Sequence, residues 1–411
     1  MGTVNCGFIK QRLAVMQFLQ FFVWGAWLVS FGGYMFSKGM GDRTGTMFAT
    51  MGMASLIMPA LAGIVADRWI SAERLLGLLH LAGACCTFAA ARAEDFGSLY
   101  AAMLLNAMFF MPTVGLSYSV CYSVMQSGRL DMERDFPPVR AWGTVGFIAA
   151  MWIVNRAGWM VSPGQLLLSS SASLALGIYS LTALPKTPPV RSRGGSFISG
   201  LGLDALVMLK ERRMAVFFLF SVLLGVCLQI TNSYGSTFLH SFDADYPSSF
   251  AVKYNNIFLS VSQISEALFI LAIPFFLSRF GIKTVILISL AAWVLRFALF
   301  GVGSPSGTGM IWLTISMIIY GMAFDFFNIS ASMFIDRETP VKFRASAQGL
   351  LMMATNGLGA VAGNFGAQKV INSHTSAGVT DWQTCWFIFA GYAFAIGILF
   401  AVFFKYKHVN K

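Results

Sequence analysis

Charged residues are scarce in this chain, and their scarcity excludes an ordinary soluble protein. Asp, Glu, Lys and Arg together make up 11% of the 411 residues, whereas hydrophobic residues make up 57%. A soluble domain carries roughly 25% charged residues, so too few are present here to cover a surface in water. Apolar runs of close to the ~20 residues that cross a bilayer recur along the whole length. The chain is therefore predicted to be an all-α membrane protein.

The patterns that mark enzymes, metal sites and disulfide-rich proteins are also lacking. The sequence has no nucleophile–base set and no phosphate-binding loop, and its four histidines are scattered. The six cysteines show neither metal-ligand spacing nor paired loop positions, and Cys85 and Cys86 lie together inside an apolar run. We therefore expect a protein that is not an enzyme and that holds no metal and no cofactor. No signal peptide is expected, because the first apolar run is long and no cleavage site follows it.

Twelve apolar segments are predicted to span the membrane as helices. They lie at 13–36, 45–66, 74–92, 97–124, 138–158, 165–184, 214–239, 255–279, 282–302, 308–335, 345–369 and 384–404. The long basic stretch 185–213 divides them into two groups of six. The prediction is an N-terminal six-helix bundle over 1–184, a cytoplasmic linker over 185–213 and a C-terminal six-helix bundle over 214–411.

The net charge of +11 is read as a sign of membrane topology rather than of nucleic-acid binding, because the charges fall between the apolar segments. With the N-terminus inside, 21 of the 28 Lys and Arg residues lie on the inner side and Arg296 lies within the membrane region. The outer loops then carry six: Lys38, Arg43, Arg92, Arg156, Lys253 and Lys369. This asymmetry predicts that both termini are cytoplasmic.

The two halves repeat a turn between their second and third helices. The stretch 63–68 reads GIVADR and the stretch 274–279 reads PFFLSR. An even number of helices in each half gives a parallel repeat, and this turn resembles that of the major facilitator superfamily. Such a fold moves around a site at the membrane midplane. Asp67 and Arg68 are expected to act as a gate, since a charge pair there can latch the helices on the cytoplasmic side.

Polar side chains inside the apolar segments are the candidate site, because each needs a partner or a water-filled cavity in lipid. Gln229 and Asn232 lie three residues apart in the seventh predicted helix, and Gln263 and Glu266 do so in the eighth. The tenth helix offers Tyr320, Phe324 and Asp325, and the fifth offers Arg140, Thr144 and Phe147. Amides of this kind can instead join neighbouring helices, and Arg140 can be a topology charge.

This inventory suits two classes of ligand. Amides pair with an edge that both donates and accepts hydrogen bonds, as a nucleobase does, and carboxylates accept hydrogen bonds from vicinal hydroxyls, as in a ribose. Aromatic faces suit a flat ring. A sugar would be bound by the same residue types, so the residues alone leave both ligands open.

The sequence resembles the nucleoside:proton symporter family of the major facilitator superfamily. The resemblance covers nearly the whole chain and includes FLQFFVWGAWL at 18–28, DFPPVRAWGTVGFI at 135–148, SQISEALFILAIPFFLSRFGIK at 262–283 and YGMAFDFFNIS at 320–330. It implies that substrate is bound by Arg140, Thr144, Phe147, Gln229, Asn232, Gln263, Glu266, Tyr320, Phe324 and Asp325.

The implied function is import of nucleosides by proton symport with alternating access. A neutral nucleoside needs a driving ion to accumulate, and Glu266 or Asp325 is expected to carry the proton. Sodium is disfavoured, because no unwound helix pair is visible. The alternatives are a proton-coupled transporter of sugars or other polar metabolites, and a sensor that binds without transporting. The expected partners are a nucleoside, a proton and membrane lipid, with a monomer in the bacterial inner membrane.

Overall fold

Helices account for almost all of the regular structure. The structure, a computed structural model, describes residues 6–187, 203–340 and 344–406. The first seven helices are α1 Cys6–Gly25, α2 Phe31–Ser37, α3 Thr44–Arg68, α4 Ala72–Arg92, α5 Phe96–Ser127, α6 Met132–Arg156 and α7 Gly164–Thr182. The next seven are α8 Arg212–His240, α9 Phe250–Lys253, α10 Asn255–Val302, α11 Gly307–Glu338, α12 Arg344–Met352, α13 Ala360–Ser373 and α14 Trp382–Phe403.

The structure also contains two 3-10 helices, one π-helical turn and two short strands in its described part. Two 3-10 helices span Gly41–Arg43 and Leu203–Lys210, and a π-helical turn spans Met353–Gly359. Strands β1 Thr375–Ser376 and β2 Val379–Thr380 pair antiparallel, with Thr375 opposite Thr380. Asp95 and Asp381 begin α5 and α14 by capping backbone N–H groups of Ser98 and Thr384. Hydrogen bonds donated by Ser98 lower the pKa of the Asp95 carboxyl group, and those donated by Thr384 lower the pKa of the Asp381 carboxyl group.

Helices occupy all twelve predicted spans, with three local differences. The first span is broken by turns at residues 26–30, between α1 and α2. The eleventh joins α12 to α13 through the π-helical turn. The eighth and ninth, both within α10, are two helices that meet at a kink at Gly281 without a loop between them. Its φ of 74° and ψ of 167° lie where an L side chain is strained, so glycine allows the chain to fold back between two spans.

Among the described residues, seven helices are long and apolar enough to cross a membrane. One of the seven is α10, whose 48 residues include two predicted spans. Helix α7 is not among the seven because it carries several serines. Three of them, Ser169, Ser170 and Ser173, donate hydrogen bonds of 2.8–2.9 Å to backbone carbonyls of neighbouring helices. These hydroxyls therefore join helices inside the protein and explain a membrane helix of low hydropathy.

The chain forms two compact units. One comprises Met1–Ser37 and Met53–Leu201, and the other comprises Lys38–Gly52 and Gly202–Lys411. The short segment 38–52 groups with the second unit because Gln368 accepts hydrogen bonds from the backbone N–H and the hydroxyl of Thr46, at 2.6 and 3.1 Å. The linker predicted at 185–213 is described only at its two ends, since residues 188–202 lie outside the described residues.

The core of the first unit contains a buried histidine. Both ring nitrogens of His80 have partners: Nδ1 lies 3.0 Å from the Ser173 hydroxyl and Nε2 lies 2.8 Å from Gln20 Oε1. Gln20 also donates to Thr113 at 2.8 Å. A fully partnered side chain inside a helical bundle is a structural connection between helices.

The predicted gate is only partly described. Arg68 is the last residue of α3 and is exposed. The side chain of Asp67 lies outside the described part of the structure, so its role stays a prediction.

Candidate functional site

A close contact between α10 and α11 builds the C-terminal part of the site. The Ser265 hydroxyl donates to the Ile318 carbonyl and accepts from the Gly321 N–H, at 3.3 Å in the second case. A Cβ added to Gly321 would lie 2.5 Å from the Ser265 carbonyl oxygen and 2.7 Å from the Glu266 nitrogen. Only glycine permits this approach, which places Glu266 beside the turn of α11 that carries Tyr320.

Tyr320 is the centre of this group of side chains. It is buried, with 4% of its surface exposed. Its ring stacks on Phe324, with centroids 5.8 Å apart and planes 4° from parallel, and meets Trp293 edge-on at 6.1 Å. The side-chain amide of Gln263 is within hydrogen-bonding reach of the Tyr320 hydroxyl. Two stacked rings with an amide at one edge form a surface suited to a flat ligand.

Arg296 also belongs to this group of side chains. Its sequence position placed it in the membrane region but did not predict a role for it. Its guanidinium lies 4.6 Å from the Tyr320 ring centroid, and Nη1 donates to the Ser316 carbonyl at 2.7 Å. The side chain is 3% exposed, and Nε has no hydrogen-bond partner among the described residues. No carboxylate within the described ranges forms an ion pair with it. A lone charge inside an apolar run was the signal that could have identified it.

Two carboxyl groups face the same region. Asp325 is 4% exposed, and its Oδ2 is buried with no hydrogen-bond partner in the parts of the chain that are described. Glu266 is close enough to interact electrostatically with both Asp325 and Tyr320. Two carboxylates in a buried site repel each other when both are ionised, and a proton on either one relieves that repulsion.

The two amides of α8 lie on one face of that helix. Gln229 is 8% exposed and Asn232 is half-buried. Across the residues that can be described, neither side chain forms a hydrogen bond with another residue. Asn364 of the same unit behaves differently, since it donates to the Ala360 carbonyl at 2.9 Å and accepts from Ser233 at 2.5 Å. Gln229 and Asn232 therefore retain free donors and acceptors, whereas Asn364 joins helices.

The N-terminal candidates lie along one face of α6. Arg140 donates from Nε to the Tyr118 hydroxyl at 2.8 Å, and its guanidinium lies 4.1 Å from the centroid of the Phe21 ring. Phe147 is buried and meets Trp24 edge-on at 6.5 Å. Thr144 is half-buried between them along the chain. Arg140 is thus held inside its own unit by aromatic residues and is not a loop charge.

The structure brings together half of the ten predicted binding residues. These five, on α10 and α11, are Gln263, Glu266, Tyr320, Phe324 and Asp325. Gln229 and Asn232 lie on α8 of the same unit, and the remaining three lie on α6 of the other unit. The arrangement around Tyr320 combines a stacked pair of rings, an amide, a guanidinium and two carboxyl groups, and can therefore bind a flat polar molecule next to a site for a proton.

The sequence comparisons point to transporters. The sequence profile of a family described as "Nucleoside H+ symporter" matches residues 8–409. The chain is 48% identical over 407 residues to the nucleoside permease NupG of Escherichia coli (strain K12), covering 98% of this chain and 97% of that protein. It is 50% identical over 405 residues to the xanthosine permease of the same organism, with 97% of each chain covered.

Solved structures agree with the fold. The crystal structure of the nucleoside transporter NupG matches with a TM-score of 0.90 at 47% identity, covering 97% of this chain and 100% of that one. A transporter of the POT family matches with a TM-score of 0.71 at 16% identity, covering 96% and 95% of the two chains. The second likeness concerns the fold alone. The prediction of twelve membrane helices in two bundles is confirmed.

Proposed function

Since the chain belongs to the nucleoside H+ symporter family, we propose that the carboxyl groups of Glu266 and Asp325 couple nucleoside import to proton uptake. The chain is a multi-pass membrane transporter that imports nucleosides with protons. The observation that carries the proposal is the position of both carboxyl groups beside Tyr320, in the group of side chains suited to a flat ligand. A proton bound there is held next to the substrate.

Different side chains bind the base and the ribose of the substrate. The Tyr320 and Phe324 rings stack on the base, and Gln229, Asn232 and Gln263 pair with its polar edge. Hydroxyls of the ribose donate to Glu266 or Asp325. Arg140, Thr144 and Phe147 also contribute to substrate binding. Similarity to both a nucleoside permease and a xanthosine permease supports nucleosides, with xanthosine among them, as the substrate class.

The transporter works by alternating access as a monomer in the bacterial inner membrane, with both termini in the cytoplasm. The inner-side excess of Lys and Arg supports this orientation. A proton that crosses a potential of 100 mV supplies about 2.3 kcal/mol, which corresponds to roughly a 50-fold accumulation of a neutral nucleoside.

Uptake of labelled uridine and xanthosine should depend on the proton gradient and not on sodium. In proteoliposomes with an inward pH gradient, accumulation should fall to the equilibrium level when a protonophore is added and should be unchanged when sodium is replaced by choline. Excess hexose should not compete. Accumulation that survives the protonophore would contradict proton coupling, competition by hexose would favour the sugar alternative, and binding without uptake would favour the sensor.

The three amides should determine affinity rather than stability. Loss of one partner of a desolvated hydrogen bond costs about 1–3 kcal/mol. Replacement of Gln229, Asn232 or Gln263 by Ala should therefore weaken uridine binding by roughly 5- to 150-fold. Binding can be measured by calorimetry on purified protein, together with the melting temperature of each variant.

Asn364→Ala is the matched control for these amide variants. Because Asn364 is hydrogen-bonded to its neighbours, its loss should lower the melting temperature and leave affinity near normal in the folded fraction. If the three site variants behave like Asn364→Ala, the amides join helices and do not bind the substrate.

A further inference from the structure

A cavity lies where the start of α8 meets the end of α14. Its volume is about 410 Å³, and Arg212, Arg213 and Lys405 contribute basic side chains to its wall. Val216 and the stretch 402–404 supply the apolar part of the wall. All of these residues belong to the C-terminal unit, and none of them is among the ten predicted binding residues.

The basic side chains of this cavity are only partly neutralised. Arg213 forms ion pairs with Glu338 and, at 3.6 Å, with Glu211. Arg212 and Lys405 are exposed, and the described residues include no carboxylate in ion-pair contact with either of them. The cavity therefore presents two uncompensated positive charges and attracts an anion.

The position of the cavity identifies the kind of anion. Helix α14 has the length and mean hydropathy of a membrane span, and it ends at Phe403. Val402 and Phe403 are 60% and 54% exposed, although both are large apolar residues. Exposed apolar side chains at the end of a span face the hydrocarbon, and basic residues directly beyond them lie at the depth of the lipid headgroups. A soluble inorganic anion makes no favourable contact with the apolar part of this wall, whereas the acyl chain of a lipid does.

We propose that this cavity binds the headgroup of an anionic phospholipid. The phosphodiester group accepts hydrogen bonds from Arg212 and Lys405, and the acyl chains lie along Val402 and Phe403. A zwitterionic lipid carries its own cation, which these two residues repel, so the site selects anionic lipid by charge.

The test is lipid binding to the purified full-length protein. Native mass spectrometry with phosphatidylglycerol, phosphatidylcholine and inorganic phosphate as probes should show retention of phosphatidylglycerol alone. Each cation near an anionic headgroup contributes about a fivefold change in affinity. Arg212→Gln combined with Lys405→Gln should therefore weaken phosphatidylglycerol binding by about 25-fold, whereas the charge-preserving pair Arg212→Lys and Lys405→Arg should retain it.

Arg279→Gln is the matched control. Arg279 is an exposed cation that packs against Phe280 and does not line the cavity, so its loss should leave binding unchanged. The substituted side chains are all exposed, and the melting temperature in detergent without lipid checks that each variant is folded. The proposal is overturned if phosphatidylcholine binds as tightly as phosphatidylglycerol, if inorganic phosphate displaces the lipid, or if the double Gln variant binds like the unmodified protein.

Discussion

Replacement of Asp325 by Asn should abolish accumulation of uridine against its gradient while leaving exchange of uridine across the membrane intact. Asn has the size of Asp and can still accept a hydrogen bond from a ribose hydroxyl, but it cannot bind a proton. Without the proton, the pH gradient no longer drives net uptake. Proteoliposomes measure both reactions, as pH-driven accumulation of labelled uridine and as counterflow against unlabelled uridine at equal pH.

Comparison of Glu266→Gln with Asp325→Asn identifies the carboxyl group that carries the proton. The residue whose amide variant loses accumulation and keeps counterflow is the carrier, and the other should mainly change affinity. Asp336→Asn is the control, because Asp336 lies on the same helix α11 but is exposed and bonds only to Gln348 among the described residues. Full proton-driven accumulation in Asp325→Asn, together with its loss in Glu266→Gln, would contradict the first prediction and assign the proton to Glu266. Full accumulation in both variants would contradict the proposed coupling.

The sequence predicted the twelve spans because each is a long apolar run, and such runs depend only on local composition. The interruptions were harder to predict. The turns at residues 26–30 occur within an uninterrupted apolar stretch, and hydropathy does not report backbone conformation. The break between the eighth and ninth spans was predicted at residues 280–281 and is confirmed at Gly281, but composition does not show that one glycine with positive φ makes this turn without a loop.

In the site, helical spacing predicted which residues share a face, and this was enough to select Gln263 with Glu266 and Tyr320 with Phe324. Contacts between helices were not predictable in the same way. The approach of α10 to α11 depends on the absence of a side chain at Gly321, one of 40 glycines in the chain. The position of Arg296 against Tyr320 likewise depends on contacts between helices, at Ser316, so an intramembrane charge was visible in the sequence while its neighbours were not.

We expect Arg296 to hold Tyr320 in place rather than to touch the substrate. Its guanidinium lies 4.6 Å from the centroid of the Tyr320 ring, and it is fixed by its hydrogen bond to the Ser316 carbonyl. A desolvated cation–π contact contributes about 2 kcal/mol. If this energy keeps the Tyr320 ring parallel to Phe324, its loss should weaken nucleoside binding by up to about 30-fold.

Arg296→Gln should therefore weaken uridine binding by about 10- to 30-fold, and Arg296→Lys should restore part of the affinity, because Lys keeps the charge but lacks the planar guanidinium. Affinity and melting temperature are measured on the same purified variants. Phe300→Leu is the control, since it removes the other ring that Arg296 contacts, at 5.3 Å, and leaves Tyr320 unchanged. Phe300→Leu should lower the melting temperature while affinity in the folded protein stays normal. If Arg296→Gln also lowers only the melting temperature, or if Arg296→Lys binds no better than Arg296→Gln, the guanidinium supports the helix packing and does not position Tyr320 for the substrate.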